Sequence, residues 1–100
     1  MDAALKALAE PHRRKVLTIL QTRGELAAGA IAAEFELTRP AVSQHLTVLR
    51  GAGLVRERRA GTRRLYSVQP DGLRDVRTFL ETFWDDRLVA LKERAEQGEE

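Results

Sequence analysis

The sequence predicts a mainly α domain carrying one β-hairpin, in the order helix, helix, helix, helix, strand, strand, helix. Three observations predict it. Apolar residues recur at helical spacing, as at Val42, Leu46 and Leu49, which fall at i, i+4 and i+7. The period changes to alternation only between Leu54 and Val68, around Ala60-Gly61-Thr62. Proline and glycine stand at the edges of the apolar segments, at Pro11, Gly24, Pro40, Gly51, Gly53 and Pro70.

One hundred residues without repeat or low-complexity linker suggest one small domain over 1–100. A chain this short buries a limited core, so a partner subunit would help it. No apolar run approaches membrane-spanning length, and MDAALKALAE lacks a basic leader. A soluble cytoplasmic protein with no membrane partner is the expectation. With no cysteine, disulfides, thiolate metal sites and thiol nucleophiles drop out together. The net charge is only +2, but it is unevenly spread. Residues 39–68 carry seven arginines (39, 50, 56, 58, 59, 63, 64) against Glu57 alone. Residues 69–100 carry an acidic excess. A basic middle beside an acidic tail suggests a polyanion partner for the middle only.

In chain order, Asp2 to Ala9 reads as a short helix with Leu5 and Leu8 on one side. Pro11 ends it and opens the next at a first-turn position, where a missing N–H costs nothing. His12 to Thr22 turns Val16, Leu17 and Leu20 inward and gathers Arg13, Arg14 and Lys15 near its start. Cations there oppose the macrodipole, so they face either phosphate or plain solvent. Gly24 closes this helix. Ala28 to Phe35 reads as a third helix with Ile31, Ala32 and Phe35 as its core side. Its cap is poor, since Ala27 sits where Ser or Thr would contribute ~1 kcal/mol.

Thr38 to Gly51 is the segment around which the rest is organised. Thr38 caps it, Pro40 sits in its first turn, and Gly51 marks its end. Opposite the Val42–Leu46–Leu49 stripe lie Arg39, Ser43, Gln44, Thr47 and Arg50. These are short or planar hydrogen-bonding side chains, the types that read base edges and grip phosphates. Taken alone, this face is read equally as an ordinary polar surface. Two short helices joined by a few residues, the second with such a face, match a helix-turn-helix. Ala32 and Ala41 would let the two approach closely.

Leu54 to Val68 reads as a hairpin with Gly61 at its tip. Val55, Tyr66 and Val68 face the core, and Arg58, Arg59, Arg63 and Arg64 crowd the tip. Four like charges so close repel, and an external anion would relieve them. Pro70 and Asp71 open the last helix, expected to run to Ala95. Its apolar stripe is Leu73, Val76, Leu80, Phe83, Trp84, Leu88 and Leu91. At 1.5 Å per residue the helix would be on the order of 35 Å long, more than one small domain needs to cover its core. The excess favours a homodimer interface built from 1–9 and 70–95, with Leu5, Leu8, Leu80, Phe83, Trp84 and Leu88 as contacts.

Taken together, LKALAEPHRRKVLTIL, GELAAGAIAAEF, TRPAVSQHLTVLRGAGLV and RRAGTRRLYSV resemble a winged helix-turn-helix regulator of the ArsR–SmtB type. The resemblance covers nearly the whole chain. It implies a homodimeric repressor of double-stranded DNA, with one recognition helix in each of two successive major grooves and each hairpin lying as a wing along the backbone. Carried over, Ser43, Gln44 and Thr47 are base-reading candidates, and Gln44 is suited to a bidentate pair with adenine. Arg39, with Pro40 beside it at the helix start, is suited to guanine or phosphate, phosphate being favoured. Arg50, Arg59, Arg63 and Arg64 complete the DNA-binding set. His45 is expected to be a packed, hydrogen-bonded residue.

The departures concern the effector. Metal-sensing members carry a Cys-x-Cys box after Glu-Leu, and following Glu25-Leu26 this chain has Ala27 and Gly29. Members with a last-helix metal site use histidine there, and this one has only carboxylates such as Asp85 and Asp86. His12 and His45 lie in different elements and suggest no site. No metal and no cofactor are expected, and the effector is unidentified. Relatives often place Gly where Glu36 stands, so Glu36 is expected to store strain if its φ is positive. Two other functions compete with DNA reading. One is a winged-helix protein-interaction module, which has no need of four clustered arginines. The other is an enzyme, for which no Ser/His/Asp set, paired carboxylates or phosphate-cradling loop is present.

Overall fold

The computed structural model describes residues 1–84 and 91–96. Its elements are α1 (Asp2–Leu8), α2 (Pro11–Arg23), α3 (Ala28–Ala32), α4 (Arg39–Gly51), β1 (Val55–Ala60), β2 (Arg63–Val68) and α5 (Pro70–Glu81). The order matches the sequence expectation.

The α1–α2 corner is fixed by side chains. The Glu10 carboxylate accepts from the Arg13 N–H at 3.0 Å and so caps α2, with Pro11 in the first turn. Arg13 Nε donates to the Ala7 carbonyl at 2.8 Å, and an Arg14 guanidinium N–H donates to the Leu8 carbonyl at 2.7 Å. These two cations therefore satisfy free carbonyls at the C-terminal end of α1, where positive charge is favoured. Gly24, with φ 85°, ends α2.

Helix α4 has the predicted start. Thr38 Oγ1 accepts from the Ala41 N–H at 3.2 Å, and Pro40 occupies the first turn. Its end differs in detail. Gly51 is still helical, Ala52 is αR, and the left-handed residue is Gly53, with φ 77°. The Gly53 N–H donates to Arg50 O at 3.0 Å and the Leu54 N–H to Leu49 O at 2.9 Å. This pair of bonds is a Schellman motif, and it sets Leu54 against Leu49, both fully buried.

The core is apolar throughout: among the described residues no polar side chain is buried. Val16 and Leu20 of α2, Ile31 of α3, and Val42, Leu46 and Leu49 of α4 meet Leu54, Val55 and Val76. Each large side chain fully withdrawn from water contributes about 1.5–3 kcal/mol. The strands pair antiparallel with Val55 opposite Val68 and Ala60 opposite Arg63, and Gly61 turns the tip with φ 65°. Leu26 adds an unpredicted one-residue bridge to the hairpin, exchanging both backbone bonds with Tyr66 at 3.0 and 2.8 Å. Helix α5 starts hard against the α4–β1 corner. The Gln69 N–H donates to Leu54 O at 2.9 Å, and Gly72 lies against the Gly53 carbonyl.

Three expectations are corrected. Helix α3 stops at Ala32 rather than Phe35. Bonds from Glu34 to Ile31 and from Phe35 to Ala32 tighten it into a turn, and the uncapped Ala27 start lends it little support. Helix α5 ends at Glu81 instead of running unbroken to Ala95. Thr82 Oγ1 donates to Phe79 O at 2.7 Å, and the Phe83 and Trp84 N–H groups bond three residues back. Residues 91–96 are again helical. Positive φ among the described residues is confined to Gly24, Gly53 and Gly61, so Glu36 stores no such strain.

Candidate nucleic-acid interface

With Val42, Leu46 and Leu49 sealed in the core, the opposite face of α4 is fixed outward. Arg39, Pro40, Gln44, Thr47 and Arg50 are exposed and Ser43 is half-buried. Thr47 Oγ1 donates to Ser43 O at 2.9 Å, which orients the hydroxyl and leaves its lone pairs to accept from a base amino group. Val48 shares this face and is 44% exposed. The sequence reading passed it over. Its signal was an apolar residue one turn after Gln44, on the polar side. An exposed methyl pair there suits the methyl group of thymine.

The hairpin folds back beside α4. Arg39, Ser43 and Thr47 from α4 line one groove of about 470 Å³ with Thr62, Arg63 and Arg64 from the wing. Five of the nine predicted DNA-binding residues are thus brought together, while Pro40, Gln44, Arg50 and Arg59 lie outside that groove.

Carboxylates divide the arginines into two kinds. Arg58 makes a two-pronged pair with Glu25, at 2.6 and 3.1 Å, which ties the wing to the segment before α3. The Arg58 guanidinium holds the Glu25 carboxyl below its ordinary value. Glu57 is paired with Arg50 and lies 3.5 Å from Arg64 Nε, bridging α4 to the wing. Arg59 and Arg63 have no carboxylate at ion-pair distance among the described residues. Arg59 stands directly opposite Arg64 in the ladder, an unfavourable like-charge pair. Of the four crowded arginines, Arg58 is paired within the chain, Arg64 shares one carboxylate with Arg50, and Arg59 and Arg63 are free for an external anion.

A second surface is apolar. Phe79, Leu80, Phe83 and Trp84 are 40%, 45%, 54% and 66% exposed, and Leu91 is 65% exposed. Phe79 and Phe83 meet edge-to-face with centroids 5.3 Å apart. Leu5 and Leu8 are half-buried and pack on the chain's own core. Leu88 lies outside the described residues. No helix among the described residues is long and apolar enough to cross a membrane.

The family model for a helix-turn-helix domain matches residues 8–58. The chain is 49% identical over 88 residues to the HTH-type transcriptional regulator Rv2034 of Mycobacterium tuberculosis, covering 88% of this chain and 81% of that one. It is 36% identical over 75 residues to the transcriptional repressor SdpR of Bacillus subtilis, covering 75% and 82%. Among solved structures it is similar to Mb0332 from Mycobacterium bovis, described as a homodimeric winged helix-turn-helix DNA-binding domain and a possible ArsR-family transcriptional regulator. That likeness has a TM-score of 0.67 at 31% identity and covers 87% and 80% of the two chains.

Proposed function

The chain belongs to the ArsR-type winged helix-turn-helix transcriptional regulators, and from that premise we propose that it is a cytoplasmic repressor binding an inverted-repeat operator as a homodimer. The observation that carries this reading is the groove in which Arg39, Ser43 and Thr47 of α4 meet Arg63 and Arg64 of the wing. A major groove about 12 Å wide admits one α-helix, so α4 enters it with Gln44, Ser43, Thr47 and Val48 toward base edges. Arg39 at the start of α4 and Arg59 and Arg63 on the wing grip phosphates on either side. Arg50 and Arg64 share Glu57 and set the angle between helix and wing before they contact the backbone. The protein acts by occupying DNA, without turnover.

The homodimer is supported by the exposed Phe79–Trp84 face, too apolar for a free surface, and by the homodimeric state of Mb0332. Leu80, Phe83 and Trp84 are its central contacts, while Leu5 and Leu8 pack on the chain's own core. The sign of regulation is supported by SdpR, a repressor. Selection of duplexes from a random pool at two salt concentrations tests the reading. Enrichment of an inverted repeat with half-sites about 34–36 Å apart is expected. Salt-sensitive binding without an enriched motif would reduce the protein to a backbone binder, and no binding at either salt would favour a protein-interaction module.

A further inference from the structure

Two histidines 33 positions apart in sequence lie side by side in the fold. The His12 and His45 rings stack with centroids 5.8 Å apart and planes at 19°. Both turn Nδ1 toward one carboxylate. His12 Nδ1 is 2.9 Å from Glu10 Oε1, and His45 Nδ1 is 4.0 Å from Glu10 Oε2. Donor atoms from the three residues all fall within 4.8 Å of one another. We propose that Glu10, His12 and His45 form a site for one divalent first-row transition ion of the zinc class, joining α4 to the α1–α2 corner.

The donor set is that of a three-ligand zinc site, two imidazoles and one carboxylate with a fourth position open. Bonds of 2.0–2.2 Å to a tetrahedral ion place neighbouring donors about 3.3 Å apart. The two separations to Glu10, 2.9 and 4.0 Å, bracket that value, and with all three donors within 4.8 Å of one another, side-chain rotations that shift donor atoms by about 1–1.5 Å complete the site. His45 is 19% exposed and Glu10 31%, which holds two ligands in place, while His12 at 51% closes from the outside. His12 also lines a groove of about 680 Å³ with Lys15, Glu34, Phe35 and Glu36, so the site is reached from solvent on the His12 side. Lys15, the nearby cation, is parked over the Phe35 ring, 4.9 Å from its centroid. When the ion binds, the Nδ1 lone pairs must be free, so any proton there moves to Nε2 or leaves to solvent, and binding weakens as pH falls.

The consequence for regulation rests on the DNA-binding reading above. His45 follows Gln44 directly on α4, so an ion held by His45 and Glu10 fixes the reading helix against α2.

The test is titration of the full chain with Co²⁺, followed by its visible ligand-field absorption, and then displacement by Zn²⁺. One ion per chain is expected. His12→Ala, His45→Ala and Glu10→Gln should each raise the dissociation constant by at least about tenfold. Glu10→Gln keeps a side-chain oxygen for the Arg13 N–H and so preserves the cap of α2. Absence of a Co²⁺ band from the wild-type chain, or unchanged affinity in both histidine variants, overturns the site. Operator affinity with and without Zn²⁺ tests the coupling. A change of at least about fivefold in the wild-type chain, lost in His12→Ala, supports it, and an unchanged wild-type affinity overturns it. A chain that binds Co²⁺ through these residues but selects no duplex sinks only the DNA reading. One that selects a duplex but binds no Co²⁺ sinks only the metal site.

Discussion

Gly72→Ala is expected to be among the most damaging single-methyl additions in the chain. A Cβ at Gly72 would overlap the Gly53 carbonyl oxygen and stand 2.6 Å from Gly53 C and 3.3 Å from Leu54 N. All three atoms are backbone, so no rotamer change relieves the clash. The start of α5 must move off the α4–β1 corner by about 1 Å, which stretches the Gln69–Leu54 bond and loosens Val76 from the core. Overpacking typically costs about 1–3 kcal/mol, and an immovable backbone neighbour puts this site at the upper end. The helical preference of alanine over glycine returns up to about 1 kcal/mol. The net is a loss of about 2 kcal/mol, or roughly 8–16 °C in Tm for a domain of this size. Gly51→Ala is the control. Gly51 is helical with no atom within 4 Å of an added Cβ, so the propensity gain stands alone. Urea unfolding followed by far-UV circular dichroism, at one fixed protein concentration, measures both. A Gly72→Ala chain as stable as wild type would refute the seating of α5 on Gly53.

Arg63→Ala should lower the slope of log affinity against log salt by about 2 for a dimer, one phosphate per wing, and fluorescence anisotropy on the selected duplex reads it. Arg64→Ala should change the slope less, because Glu57 already holds part of its charge. Trp84→Ala should weaken self-association in sedimentation and, through it, operator affinity; a dimer of unchanged strength would return Trp84 to its own chain. Glu25→Gln tests the wing anchor. Because Arg58 lowers the Glu25 carboxyl in the folded chain, the pair stabilises above the ordinary carboxylate range, and that contribution fades as pH falls through the lowered value. The variant should therefore be less stable than wild type at neutral pH and converge with it in acid; a gap that persists in acid would mean the carboxylate is not the cause.

What the chain discloses by itself depends on how local the cause is. Helix α4 was legible because its start is written in adjacent residues, Thr38 and Pro40, and its buried stripe repeats at helical period. The break after Glu81 was hidden because Phe83 and Trp84 continue the apolar period and neither Gly nor Pro marks the stop. Only the Thr82 hydroxyl and three-residue bonds carry it. The Leu26–Tyr66 bridge involves one residue on one side, too short to show a period. Long-range pairings were the least legible. Glu25 with Arg58, and His45 with the local Glu10–His12 pair, exist only because α2, α3 and the hairpin pack around α4. The four wing arginines looked alike in sequence, and their division into paired and free depends on where Glu25 and Glu57 come to rest.

Operator recognition turns on α4 reading bases while the wing holds the backbone. Its most direct test is the base-preference profile of Gln44→Ala, obtained by repeating the duplex selection with the variant. Preference should relax at one base pair in each half-site, symmetrically, at a cost of ~1–3 kcal/mol, with the remaining positions unchanged. An equal loss of affinity on every sequence would contradict it, leaving Gln44 as a backbone contact and α4 without its role as reader.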